Sequence, residues 1–99
     1  MVLEIAEFSV TPGQEDDFAA AYHSAKQLLH GTPGFLSARM TRGIETTNRF
    51  VLLIEWDTLE SHTVGFRESD LFVQWRQIIG PFFAAAPRVQ HSIDVADGS

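Results

Sequence analysis

Three features of the 99-residue sequence predict an α+β fold. Two regions with the apolar spacing of amphipathic helices sit among four segments that read as strands, in the order β-α-β-β-α-β. The first and third strand segments carry apolar side chains on both faces, which places them inside a sheet covered on both sides. Residues that start helices, stop them and turn hairpins mark the boundaries. This order is the split βαβ, or ferredoxin-like, arrangement, with helices over one face of a four-stranded antiparallel sheet. One domain over residues 1–95 is expected, followed by a frayed tail at 96–99.

The first strand is VLEIAEFSV, residues 2–10, with Leu3 and Ile5 on one face and Ala6, Phe8 and Val10 on the other. The first helix is expected over 11–31. Thr11 is placed to cap it, Pro12 to open it and Gln14 to complete a capping box. Glu15, Asp16 and Asp17 suit the positive end of the helix dipole. Phe18, Tyr22, Ala25 and Leu29 form the apolar stripe, and Gly31 and Pro33 end the helix.

GFLSARMTRG (34–43) reads as the second strand and IETTN as a hairpin turn. RFVLLIEW (49–56) is the third strand, with Phe50, Leu52, Ile54 and Trp56 on one face. Asp57, with Glu60 three residues on, is positioned to cap a helix carrying Leu59, His62 and Phe66. Ser69 caps a further helical run whose apolar face is Leu71, Phe72, Trp75, Ile78 and Ile79, and Gly80-Pro81 closes it. RVQHSIDV (88–95) alternates cleanly and is the fourth strand.

Composition removes several classes of function. Lys and Arg total 7 against 13 Asp and Glu, a net charge of −6, with no basic cluster for nucleic acid or an anionic membrane surface. The chain has no cysteine, which excludes disulfides, thiolate metal sites and a cysteine nucleophile. No apolar run has the length of a membrane span, and the first residues lack the basic start of a signal peptide. A cytoplasmic protein is expected. With 8 Phe and 2 Trp in so small a chain, aromatic surface is available for a dense core, a ligand or a second copy of the chain.

Trp56 closes a buried strand, and His62 follows six residues later on the returning helix. Together they can form a pocket corner, an aromatic wall with one group that titrates near neutrality. The alternative is a core Trp and a surface or carbonyl-bonded His. His91 alternates with Val89 and Ile93 and is expected to point into an apolar layer, as a core, interface or ligand-facing residue. His23 and His30 are expected to face solvent. Arg39 and Arg42 could offer a cation to an acidic phenol or pair with Glu4, Glu7 or Glu55. No His-x-x-x-His or His-x-x-Glu pair places ligands one helical turn apart on one face, so no metal site is expected.

The strings VTPGQEDDF, GTPGFLSARM, RFVLLIEWDTLESH and FRESDLFVQW, in this order, resemble the antibiotic biosynthesis monooxygenase family of dimeric α/β barrels. The likeness runs over residues 2–95. It implies a two-fold dimer whose sheets close into a barrel, and a pocket in each subunit between sheet and helices. Family members include enzymes that oxygenate aromatic polyketide intermediates or quinols without metal or flavin, while others degrade haem. The haem-degrading branch carries an Asn on the first strand and an axial His on the later helix, where this chain has Ala6 and Trp75.

The resemblance therefore implies a cofactor-independent monooxygenase acting on a small electron-rich aromatic with molecular oxygen. His62 and Trp56 are its candidate catalytic residues. Phe66, Phe72, Trp75, Arg39 and His91 are candidate substrate-binding residues. No metal and no cofactor are implied, and the partner is a second copy of the chain. A non-catalytic ligand-binding dimer and, further off, a haem-binding or haem-degrading protein stand as alternatives.

Overall fold

The computed structural model describes residues 1–96. The expected tail, 96–99, falls largely outside the described residues. The order of elements is β1 (Val2–Ser9), α1 (Glu15–His30), β2 (Phe35–Arg42), β3 (Arg49–Trp56), a π-helical segment (Ser61–Phe66), α2 (Asp70–Ile79), a 3-10 turn (Gly80–Phe82) and β4 (Arg88–Ser92). The four strands form one antiparallel sheet in the order β2-β3-β1-β4. The ferredoxin-like α+β fold is thus the one the element order predicts, with β1 and β3 at its centre.

Alternation sorts the central strands into two faces. Glu4, Ala6, Phe8 and Val10 of the first strand region and Phe50, Leu52, Ile54 and Trp56 of β3 are buried beneath the helices. Phe18, Tyr22, Ala25 and Leu29 of α1 and Trp75 and Ile79 of α2 complete this core. Phe18 packs edge-on to Phe50 with ring centroids 4.8 Å apart. On the opposite face, Leu3, Ile5, Val51 and Leu53 are only half-buried.

Three local expectations are corrected. The first helix opens at Glu15, and Thr11 does not cap it. Pro12 and Gly13 instead form a turn in which the Gln14 N–H donates to the Thr11 carbonyl at 3.0 Å. Gly13 has φ +92°, the left-handed value that the third position of a type II turn requires. The Thr11 hydroxyl donates to the Phe82 carbonyl.

The predicted capping box at Asp57 and Glu60 is replaced as well. An Asp57 carboxylate oxygen accepts from the Thr58 N–H and the Ser61 hydroxyl, while Glu60 makes no side-chain cap bond. The chain then widens into the π-helical segment, where the Arg67 N–H reaches the His62 carbonyl five residues back. The third correction is at the end of the chain: β4 stops at Ser92. Ile93 and Val95, predicted to continue it, are 73% and 105% exposed.

Helix α2 behaves as its sequence suggests. Ser69 is extended, and its hydroxyl oxygen accepts from the Phe72 N–H.

Candidate functional site

The sheet and the helical layer leave a cavity of about 110 Å³ between them. Cavities of about 150 Å³ hold one benzene ring, so the recess takes one ring, and a further fused ring would lie in its mouth beside the exposed Arg67 and Arg76. Leu52, Ile54, Phe66, Phe72 and Trp75 supply apolar wall, and Glu4, His62, Arg67 and Arg76 supply the charged and titratable groups.

Glu4 and His62 reach this space for reasons of local structure. Glu4 shares the inner face of β1 with Ala6 and Phe8 and is 5% exposed. His62 lies at the start of the π-helical segment, which turns it and Phe66 inward, and it is 3% exposed. Its ring stacks on Trp56 with centroids 5.4 Å apart and planes 20° from parallel.

A polar chain runs through these residues. Trp56 Nε1–H donates to Glu4 Oε1 at 2.9 Å. Glu4 Oε1 also lies 3.3 Å from His62 Nε2. On the other side of the ring, His62 Nδ1 is 2.8 Å from His91 Nε2. His91 is exposed on the edge strand β4, directly across from Glu4 in the pairing register.

Burial sets the electrostatics. Loss of solvent raises the Glu4 carboxyl from an ordinary 4.5 to about 6, against the pull of the Trp56 hydrogen bond and the Arg67 charge. Loss of solvent also lowers His62 from 6.5 to about 4, helped by His91 and Arg67. His91 is lowered by burial and by Arg67. At pH 7 the pair is therefore an ionised Glu4 beside a neutral His62. Neutral His62 shares a hydrogen bond between its Nδ1 and the Nε2 of His91, while its own Nε2 faces Glu4 Oε1 at 3.3 Å.

The residues singled out by sequence fall into three groups. His62, Phe66, Phe72 and Trp75 line the cavity. Trp56 and His91 do not line it but touch His62 from behind and from the side. Arg39 is elsewhere: it pairs with Leu53 on the half-buried face of the sheet, so the expectation that it serves this cavity is corrected. His91 is corrected in part, being exposed rather than sunk in an apolar layer. His23 and His30 are exposed as expected, whereas Leu59, at 40% exposure, does not share the inward face of His62.

By its charge Glu4 belongs with the ion-pair candidates Glu7 and Glu55, and the structure corrects this expectation. The signal was present, since Glu4 keeps the same parity as Ala6, Phe8 and Val10. Glu7, on the other parity, does pair with Arg49 at 3.0 Å, and Arg42 pairs with Asp16. Arg67 and Arg76 carried no sequence signal. Among the described residues, no group of three His, Cys, Asp or Glu side chains is placed to hold a metal ion. Nor is any helix among them long and apolar enough to cross a membrane.

Comparison with known proteins agrees with this architecture. A family model described as "Antibiotic biosynthesis monooxygenase" matches residues 1–78. The uncharacterised protein YczJ of Bacillus subtilis (strain 168) is 35% identical over 95 residues, spanning 96% of this chain and 100% of that protein. A crystal structure from Bordetella bronchiseptica with a provisional assignment to the same kind of monooxygenase is 37% identical. It superposes with a TM-score of 0.93, covering 96% of this chain and 97% of that one. A variant of SnoaB, described as a cofactor-independent oxygenase from Streptomyces nogalater, shares the fold at 14% identity. Its TM-score is 0.82, with 97% of this chain and 94% of that chain covered.

Proposed function

This chain belongs to the antibiotic biosynthesis monooxygenase family, and from that premise we propose that it is a cofactor-independent monooxygenase of small electron-rich aromatics. The observation that carries the reading is the composition of the cavity. A buried carboxylate–imidazole pair, with Arg67 and Arg76 beside it, sits in a recess whose remaining walls are aromatic and aliphatic.

The chemistry needs those features. Triplet oxygen reacts slowly with ordinary organic molecules, and most oxygenases recruit a flavin or a metal for that reason. A quinol or anthrone supplies the electrons itself once it has lost a proton. The protein then has to seat a flat ring, remove the proton and keep bulk water away. Phe66, Phe72 and Trp75 provide the walls, Glu4 and His62 the titratable groups, and Trp56 supports both from behind. SnoaB, of the same fold, is described as working without a cofactor.

The working unit of this proposal is a two-fold dimer. Leu3, Ile5, Val51 and Leu53 form a half-buried apolar face, and Ile93 and Val95 extend beyond β4 with exposed side chains. A second copy laid across that face would bury it and close the paired sheets into a barrel.

Oxygen uptake in the presence of reduced naphthoquinols or anthrones tests the activity. Uptake above the buffer rate, with an oxygenated product by mass spectrometry, is the expected result. Ligand-induced thermal stabilisation with no oxygen consumed would replace the enzyme with a binding protein.

A further inference from the structure

We propose that Glu4, rather than His62, is the catalytic base, with His62 and Trp56 as its positioning residues and Arg67 as the cation that faces the ionised substrate. The inference rests on the monooxygenase reading and deepens it.

Geometry separates the two candidate bases. Both Glu4 and His62 line the cavity, but His62 Nδ1 is hydrogen-bonded to His91 and its Nε2 is turned towards Glu4 Oε1 at 3.3 Å. Glu4 receives both of its described contacts on Oε1. The Trp56 N–H donates to that oxygen and His62 Nε2 packs beside it at 3.3 Å, which together hold the carboxylate in place. Arg67 lines the same cavity and is exposed; among the described residues neither it nor Arg76 is held in an ion pair, in a chain of net charge −6.

Protonation agrees with the geometry. Burial keeps His62 neutral and a weak base, lowered to about 4, while it lifts Glu4 to about 6, close to the working pH of a general base. The charged and titratable groups around Glu4 are His62 and Arg67 from the π-helical region, Arg76 from α2 and His91 from β4.

For a quinol such as naphthalene-1,4-diol the steps balance as follows. Glu4 takes the hydroxyl proton, leaving a quinolate whose oxygen faces Arg67. The quinolate gives one electron to dioxygen, and the radical and superoxide join at C2. The proton held by Glu4 returns to the distal oxygen, giving a hydroperoxide. Loss of the C2 proton to Glu4, with cleavage of the O–O bond, forms the C2 carbonyl. The departing hydroxide takes that proton and leaves as water. One diol and one dioxygen yield one hydroxynaphthoquinone and one water.

The experiment uses naphthalene-1,4-diol with the full-length protein and two readouts. The first is deuterium incorporation at C2 in D2O without oxygen, followed by proton NMR. The second is oxygen uptake. Glu4→Gln, which keeps the shape and the Trp56 acceptor, is expected to lower both by about 100-fold or more. Binding of 1,4-naphthoquinone, read by tryptophan fluorescence, should stay within about threefold, since the walls are unchanged. Retention of more than a tenth of both wild-type rates in Glu4→Gln overturns the assignment.

The wild-type pH profile is a second, independent readout. Its kcat/KM should rise with pH along a limb centred near 6. His62→Phe removes the polar Nε2 that lies 3.3 Å from Glu4 Oε1 and should move that limb to higher pH, which a merely structural role would not do. A limb that stays in place in His62→Phe, or one centred near 4 in the wild type, also overturns the assignment. Exchange at C2 without oxygen uptake leaves Glu4 as base and removes the monooxygenase reading. Neither exchange nor uptake by the wild type removes both.

Discussion

Trp56 donates its indole N–H to Glu4 across the two central strands, at 2.9 Å, where both residues are at least 95% buried. The strands are antiparallel with Val2 opposite Trp56 and Glu4 opposite Ile54, so the bond runs along a diagonal of the inner face. A carboxylate is expensive to bury, and one donor from a rigid indole offsets part of that cost. The same bond holds the acid against His62, so the core and the candidate site share one contact.

Trp56→Phe removes that donor and part of the ring volume. Leaving a buried acceptor without its partner costs about 1–3 kcal/mol, and the missing ring adds to it. The loss should be larger at pH 8 than at pH 5, because Glu4 is ionised at the higher pH and needs the donor more. Urea denaturation of both proteins at the two pH values checks this.

Glu4→Gln should separate stability from activity. The folded-state carboxyl is raised from 4.5 to about 6, so its contribution to stability is fully present below 4.5 and is lost as pH rises through 6. At about 1.4 kcal/mol per pKa unit, the loss by pH 7 is about 2 kcal/mol. The Gln variant carries no such loss. It should be at least as stable as the wild type at pH 7 and flatter between pH 4.5 and 7, by thermal or urea unfolding.

His62 works in the opposite sense. Its folded-state value is lowered from 6.5 to about 4, so its contribution is present above 6.5 and disappears as pH falls through 4. His62→Gln should reduce the acid-side decline between pH 6.5 and 4, leaving the smaller part that His91 contributes. An unchanged decline in that variant would place the acid sensitivity elsewhere.

Gly34→Ala should destabilise the junction that presents Trp56. Gly34 has φ +88°, and an added Cβ would meet the side chains of Ser61 and Asp57. The Gly34 carbonyl accepts from the Asp57 N–H, one residue past Trp56. Left-handed backbone strain alone costs about 1–3 kcal/mol, and the clash adds to it. A midpoint shift in urea larger than that of Gly13→Ala, which has open space around it, is the expected result.

Leu53→Arg tests the proposed dimer. Leu53 lies on the half-buried sheet face, where a charge should disturb association more than the monomer core. Sedimentation equilibrium should show a dimer for the wild type and a monomer, still folded by circular dichroism, for the variant. A wild-type monomer at micromolar concentration would end the dimer reading.

The core was legible because alternation and helical spacing act locally. Phe50, Leu52, Ile54 and Trp56 on β3, and Phe18, Tyr22, Ala25 and Leu29 on α1, are buried as their periods require. Helix starts were less legible. Ser69 caps α2, but Thr11 does not cap α1, because Pro12-Gly13 closes a type II turn that competes with helix initiation. β4 ended early: among the described residues nothing covers Ile93 or Val95, and a pattern of alternation cannot supply the missing neighbour.

The sequence by itself determined the order of elements, the apolar faces and the inward parity of Glu4, since each depends on residues a few positions apart. It also placed Trp56 and His62 on either side of one turn. Only the tertiary structure decided that His62 turns inward over Trp56, and that Glu4, 52 and 58 positions away from them, completes the group. The reason is physical. Side chains from β1, β3, the π-helical segment and β4 meet through strand pairing and helix packing. Burial then sets their charges, and neither effect is encoded by any short stretch of chain.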